Sequence, residues 1–269
     1  MEVNGIPYHV NTVGDGAHHL LLLHGFTGCG ANFTELIKDF PEKENFTFIL
    51  VDLLGHGQTS TPLHADRYQM KETVADLYTI LEILNVEKCS LFGYSMGGRV
   101  ALSFALQYPE IVQRLILESA SPGLKKESDR HSRQKADEQL AQFILKKGIG
   151  EFVDYWTEIP LFQSQKTLAA EKQQKIYQQR LNNTPLGLAN SLKGIGTGVQ
   201  PSYWEKISML TMPVLLAAGE GDAKFVQIAQ EMSKKIENAR FIKINDAGHA
   251  IHVEQPRKFG KIVSEFLSN

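Results

Sequence analysis

The stretch Gly93-Tyr94-Ser95-Met96-Gly97-Gly98-Arg99 decides how the rest of the chain is read. Before it stands an apolar, β-prone segment, Cys89-Ser90-Leu91-Phe92. After it, Val100, Leu102, Phe104, Ala105 and Leu106 fall mostly on one helical face. Strand, Gly-x-Ser-x-Gly, helix is the setting of a nucleophile elbow. A serine there sits on a strained turn, and Gly93 and Gly97 are needed where a Cβ would clash with the neighbouring strand or helix. The turn lifts the Ser95 hydroxyl into the open, at a helix N-terminus that favours negative charge. At average Gly and Ser usage roughly 0.1 such pentamers arise by chance in a chain of this length. The assignment therefore needs partners elsewhere in the sequence.

Outward from the elbow, strand-like and helix-like segments alternate. Ile6 to Val13 reads as half of an antiparallel hairpin ending at Gly14-Asp15-Gly16. His19 to His24 holds the run Leu20-Leu21-Leu22-Leu23, a buried strand closed by Gly25. A short helical segment covers about Ala31 to Phe40, and Phe46 to Leu53 is a further strand ending in Gly55-His56-Gly57. Met70, Val74, Leu77, Leu81 and Leu84 have helical spacing. Strands are expected at 88–92, 114–118, 213–218 and 240–245, with a last helix from about Pro256 to Leu267. Continuous apolar strands alternating with helices mean a mainly parallel sheet covered on both faces, an α/β fold. Residues 121 to 207 break the rhythm, being polar and helix-rich without a convincing strand. An insertion of that length between two sheet strands reads as a helical cap over the C-terminal edge of the sheet, where ligands bind in open α/β folds. The expected division is a core of 1–120 and 208–269 with a cap of 121–207.

The 269 residues are 42% hydrophobic and 22% charged, enough for one large core with an inserted subdomain. A net charge of −2 gives no global basic field for nucleic acid. The start of the chain lacks the pattern of a signal peptide, and the longest apolar run is too short to span a bilayer. A cytoplasmic monomer without membrane insertion is expected. Two cysteines, Cys29 and Cys89, are expected as free thiols. No Cys/His cluster has zinc spacing and no phosphate- or dinucleotide-binding glycine pattern occurs, so neither a metal nor an organic cofactor is expected.

A serine hydroxyl is a poor nucleophile until a neighbour takes its proton. Downstream lie an acid and a histidine in the order Ser…Asp…His. Asp222 follows the 213–218 strand through Gly219-Glu220-Gly221, and His249 follows the 240–245 strand in Asp246-Ala247-Gly248-His249. His249 is the expected proton acceptor and Asp222 its orienting carboxylate, by its place in the loop ahead of Glu220 and of Asp246, which reads as turn chemistry. The backbone N–H groups of Met96 and Phe26 are the expected donors to a developing oxyanion, with Gly25 letting the backbone approach a ligand. His56 is expected to shape a loop, and Asp52 to fix one. His18, His19, His64, His131 and His252 have no metal spacing.

These features together resemble the α/β-hydrolase superfamily over nearly the whole chain: His24-Gly25-Phe26, Asp52-Leu53-Leu54-Gly55-His56-Gly57, the elbow, Gly219-Glu220-Gly221-Asp222 and Gly248-His249. The resemblance implies an α/β-hydrolase fold, a mainly parallel eight-stranded sheet with helices on both faces and an inserted helical cap. Members span esterases, C–C hydrolases, haloperoxidases and lyases, so the fold leaves the reaction open. The finer match is Arg99, one helical turn beyond Ser95, together with Glu118-Ser119-Ala120-Ser121-Pro122-Gly123-Leu124. It resembles the 2-succinyl-6-hydroxy-2,4-cyclohexadiene-1-carboxylate synthase family of menaquinone biosynthesis. That resemblance implies a lyase eliminating pyruvate from a small polycarboxylate, 2-succinyl-5-enolpyruvyl-6-hydroxy-3-cyclohexene-1-carboxylate. The triad would abstract a proton, and arginines would grip carboxylates. The family's cap motifs match Arg133, Trp156 and Arg180, with Arg130 a competitor to Arg133 and a core role in the cap the other reading of Trp156. Arg99 is expected to hold a carboxylate, and Tyr94 either helps close the oxyanion region or fills the motif's variable position. The Glu118–Gly123 stretch departs from the family's more common Gly-Gly-His or Gly-Ser before Pro-Gly. Arginine suits the role because its planar fork binds a carboxylate bidentately. The alternative is a serine hydrolase of esters or C–C bonds using the same triad with water.

Overall fold

The computed structural model describes residues 1–268. In chain order the first elements are β1 (Glu2–Val3), β2 (Ile6–Pro7), β3 (Val10–Val13), β4 (His18–Leu23), α1 (Thr34–Lys38), β5 (Phe46–Val51) and α2 (Met70–Ile83). The elbow joins β6 (Cys89–Tyr94) to α3 (Met96–Gln107), and β7 (Val112–Glu118) follows. Three helices come next: α4 (Glu127–Glu158), α5 (Ala170–Leu181) and α6 (Pro185–Ile195). The chain closes with β8 (Val214–Gly219), α7 (Ala223–Ser233), β9 (Ala239–Ile244), α8 (Ile251–Glu254) and α9 (Pro256–Ser268).

Among the described residues the main sheet has seven strands in the order β3-β5-β4-β6-β7-β8-β9, with every pairing parallel except β3 on β5. The expected count of eight is corrected by the N-terminus. Asn4 and Gly5 both have positive φ (48° and 76°) and turn the chain so that β2 folds back on β1 as a separate two-stranded ribbon. Asn-Gly suits such a tight hairpin turn because both residues tolerate that region. Only Val10–Val13 is left to join the sheet, and its partner is β5, not the next strand in sequence.

Alternation along the buried strands feeds two cores. Leu21, Leu23, Leu91, Leu115 and Leu216 face α2, α3 and α7. Leu20, Leu22, Phe92, Ile116 and Leu215 face α1 and α9. The segment between β7 and β8 has no strand and carries its own apolar cluster, in which Ala141, Ile144 and Phe152 of α4 meet Leu188 and Leu192 of α6. Within α4, Gly148 takes φ 78°, ψ 176°. A Cβ there would meet nothing within 4 Å, so conformation and not crowding favours glycine at this break.

The N-terminal ribbon is held by one buried carboxylate. Asp76 of α2 accepts from Arg67 at 2.7 Å, the Tyr8 hydroxyl at 2.6 Å and the Asn4 amide at 2.8 Å. Burial, with Asp76 beside it, pushes the Tyr8 phenol well above its ordinary range, so it stays a donor. Asp76→Ala strands these donors and is expected to cost about 3 kcal/mol, because removing one side of a buried ion pair leaves the other unpaired. The shift in a chemical-denaturation midpoint checks this.

Candidate active site

The elbow has the backbone its sequence demands. Ser95 sits at φ 51°, ψ −106°, between the end of β6 and the first turn of α3. A side chain on Gly93 would collide with the backbone of Gly97 and Gly98, and one on Gly97 with the carbonyls of Leu23 and His24. Those contacts let β4, β6 and α3 converge behind the serine. The Ser95 N–H donates to the Glu118 carbonyl at 2.8 Å, fixing the turn to the neighbouring strand end.

The structure brings Ser95, His249 and Asp222 together. The Ser95 hydroxyl lies 3.0 Å from His249 Nε2, and His249 Nδ1 lies 2.6 Å from Asp222 Oδ2. His249 and Asp222 are buried. Asp222 is oriented from its own helix, since it is the N-cap of α7 and its other oxygen accepts from the Phe225 N–H at 3.4 Å. The two loops are locked to each other by the Gly221 N–H, which donates to the Ala247 carbonyl at 2.9 Å. With Nδ1–H donated to the carboxylate, the Nε2 lone pair faces the serine proton, so the set can activate a hydroxyl or accept a proton from a bound carbon acid.

Glu254 of α8 holds the histidine loop from behind. Its carboxylate accepts the Gly248 N–H at 2.6 Å and the Ala250 N–H at 3.3 Å, the two amides flanking His249. Burial raises its pKa, while the two backbone donors pull the other way. Glu254→Ala is expected to lower kcat about 10- to 100-fold with KM little changed, since misplacing a base by an ångström is that costly. Steady-state kinetics separate the two constants.

A cavity of about 460 Å³ opens in front of Ser95 and His249, and Phe26, Met96, Arg99, Arg133 and Trp156 are among its walls. Met96 begins α3, where helix amides lack a partner in a preceding turn. The Phe26 loop comes close, for a Cβ on Gly25 would lie 3.5 Å from the Ser95 Cβ. His24 anchors that loop, with its Nδ1 bonded to the Gly25 carbonyl at 2.8 Å and its Nε2 accepting from the Leu53 N–H at 2.9 Å. Burial depresses the pKa of His24 and lowers that of His56 to about 3, so both rings are neutral. Asp52 fixes loops, taking the N–H groups of Gly30 and Gln58 at 2.6 and 2.9 Å.

Arg99 is buried, and its guanidinium donates to the Ile195 carbonyl at 2.6 Å and to the Gln200 side chain at 3.2 Å. Burial, then the nearby Arg133, pushes its pKa down to about 10, with Asp137 pulling it back up. It remains a cation at neutral pH. Arg133 is tied to Asp137 at 2.8 Å. Arg130 is not on the cavity wall and donates to the Leu124 and Lys125 carbonyls. The ring of Trp156 packs edge-on against Phe26, with 5.4 Å between centroids, and its N–H is buried without a partner.

Two expected residues lie off this cavity. Tyr94 and Arg180 line a separate cleft of about 40 Å³. The Tyr94 side chain turns to the α1/α9 side of the sheet, its ring 4.7 Å from that of His252 and 5.4 Å from that of His249. Arg180 spends its donors on Thr157 and Gln165 and stacks its cation 4.4 Å from the centre of the Phe162 ring, while burial lowers its pKa to about 10. Sequence reading missed Lys224 and Phe225 on the cavity wall and named Ser119 only within the Glu118–Leu124 stretch. It also missed the buried pair behind the site, His252 Nδ1 on Glu118 at 2.9 Å. Among the described residues no group of three or more His, Cys, Asp or Glu is arranged to hold a metal ion, and no helix is long and apolar enough to cross a membrane.

A serine on a strand–helix elbow, with its histidine and acid on the ends of later parallel strands, defines a class. A model described as the alpha/beta hydrolase fold matches residues 18–256, and the chain belongs to that family. Its relatives narrow this. A Bacillus subtilis protein, provisionally named 2-succinyl-6-hydroxy-2,4-cyclohexadiene-1-carboxylate synthase, is 47% identical over 267 residues, 99% of this chain and 96% of its own. A Citrobacter koseri protein of that name is 31% identical over 242 residues, 90% of each chain. The solved structure of MenH from S. aureus superposes with a TM-score of 0.92 at 36% identity, covering 97% of this chain and 98% of its own. Within the α/β-hydrolase fold, the chain belongs to the 2-succinyl-6-hydroxy-2,4-cyclohexadiene-1-carboxylate synthase family.

Proposed function

We propose that the protein is a carbon–oxygen lyase of menaquinone (vitamin K2) biosynthesis. It eliminates pyruvate from 2-succinyl-5-enolpyruvyl-6-hydroxy-3-cyclohexene-1-carboxylate and forms 2-succinyl-6-hydroxy-2,4-cyclohexadiene-1-carboxylate. The end-to-end match to relatives of that name carries this reading. The buried guanidinium of Arg99, on the wall of the same cavity as Ser95 and His249, supports it chemically.

In this reading Ser95, His249 and Asp222 are the catalytic residues. The ring proton at carbon 2, acidified by the succinyl ketone, passes to the Ser95–His249 pair, and Asp222 stabilises the resulting imidazolium. The electron pair moves through the ring: C2=C3 forms, the former C3=C4 pair becomes C4=C5, and the C5–O bond breaks. The released enolpyruvate takes up a proton at carbon to become pyruvate. The N–H groups of Phe26 and Met96 stabilise the enolate oxygen of the succinyl ketone while charge is on it. Arg99 and Arg133 hold carboxylates in a reactive pose, with Trp156 against the substrate. Tyr94 and Arg180 contribute from behind His249, through the rings that pack on it.

Residues 121–207 serve as a cap on a core of 1–120 and 208–269, so that closing the cap excludes water. A single chain working in the cytoplasm, with Cys29 and Cys89 as free thiols, completes the proposal. Substrate carrying deuterium at ring carbon 2 tests the chemistry. Slower pyruvate release from it, with loss of the deuterium and formation of the ring diene, is expected; pyruvate released at an unchanged rate with deuterium kept at carbon 2 and no diene would favour the hydrolase alternative.

A further inference from the structure

We propose that Lys224, with the Ser119 hydroxyl, forms a carboxylate subsite on the His249 side of the cavity. The inference rests on the lyase reading. The substrate then brings three carboxylates, on the ring, the succinyl arm and the enolpyruvyl group. Three arginines are expected to meet them, but Arg180 lies off the cavity and is engaged by Thr157, Gln165 and Phe162. Arg99 and Arg133 remain, and the charge of Arg133 disfavours that of Arg99. The third cation on the cavity wall is Lys224.

Its position is hard to explain by stability. Lys224 sits in the first turn of α7, a helix with no acidic residue in that turn. A cation there opposes the helix dipole. Among the described residues Lys224 makes no ion pair; its ammonium lies 5.5 Å from the centre of the Phe225 ring. That ring lies 4.8 Å from the ring of His249, so the Phe225 ring neighbours both the ammonium and the base. A second feature points to a ligand independently. Ser119, at the end of the adjacent strand, is 1% exposed and its hydroxyl has no hydrogen-bond partner, yet it lines the same cavity. Its own N–H donates to Ala217 of β8, which places the serine next to the strand that leads to Lys224. A bound carboxylate takes the ammonium's charge and the hydroxyl's proton together, and the dipole that disfavours the lysine favours the anion.

Steady-state pyruvate release by wild type, K224Q, K224R and S119A tests this. K224Q is expected to raise KM about tenfold or more, the worth of one charge-assisted contact, with kcat less affected. K224R should stay within about threefold of wild type, since it keeps the charge, and S119A should raise KM less than K224Q does. The thermal midpoint of K224Q should be unchanged or higher, which a structural lysine would not give. K224Q with a KM within about twofold of wild type would overturn the subsite. If the wild-type protein releases no pyruvate, the lyase reading fails by itself. Calorimetric titration with tricarballylate then decides the subsite: about tenfold weaker binding to K224Q sustains it, and equal affinities, or binding to neither, overturn it.

Discussion

Ser95→Ala is expected to lower kcat/KM for pyruvate release by about 10⁴- to 10⁶-fold, as removal of one member of a Ser–His–Asp set does elsewhere. The reasoning is local. Among the described residues the Ser95 hydroxyl bonds only to His249 Nε2, so the fold loses little when the oxygen goes. The strained backbone at φ 51° is fixed by Gly93, Gly97 and the Ser95 N–H bond to Glu118, none of which the substitution touches. On the proposed mechanism, what disappears is the oxygen that relays the ring proton to His249. Residual rate would come from the oxyanion donors and from carboxylate binding. Calorimetry should show the variant binding substrate with near wild-type affinity while turnover is lost. A variant within about tenfold of wild type would remove Ser95 from the chemistry.

Arg99→Ala carries the second large effect and separates the two reactions that fit the elbow. On the proposed mechanism, truncating a buried guanidinium that holds a substrate carboxylate costs about 2–5 kcal/mol, so kcat/KM for the lyase substrate should fall by about 30- to 4000-fold. Hydrolysis of a simple uncharged ester by the same variant should barely change, because that substrate offers the arginine nothing to hold. Part of the loss is structural, since the Ile195 carbonyl and the Gln200 amide lose their donor. Measuring both activities on one preparation removes that contribution from the comparison. Equal losses on both substrates would assign Arg99 to the scaffold.

Much of the fold was legible because buried parallel strands must be apolar throughout. The Leu20–Leu23 run, the segment before the elbow and the strand ending at Gly219 all lie in the sheet. Helix Met70–Ile83 followed its spacing to within a residue. The strand count failed at Asn4-Gly5, where a two-residue turn takes Ile6 and Pro7 out of the sheet. The geometry at the strand ends was legible too, since chain order and loop position bring Ser95, Asp222 and His249 within hydrogen-bond reach. Side-chain direction across the helical segment was not. Whether Arg180 or Arg133 faces the cavity depends on what Phe162, Thr157 and Asp137 offer, and those contacts join distant parts of the chain. Arg99 is similar, because its guanidinium is held by a carbonyl and an amide about a hundred residues away. Glu254 and Lys224 look like ordinary surface charges in the sequence; only the packing of the α8 and α7 ends against the histidine loop brings them to the site.

The most direct measurement follows both products from one addition of the enolpyruvyl precursor. Purified protein should release pyruvate and generate the conjugated ring diene in equal amounts, with no metal or organic cofactor added, and Ser95→Ala should do neither. Brisk hydrolysis of simple esters without pyruvate or diene from the precursor would contradict the account.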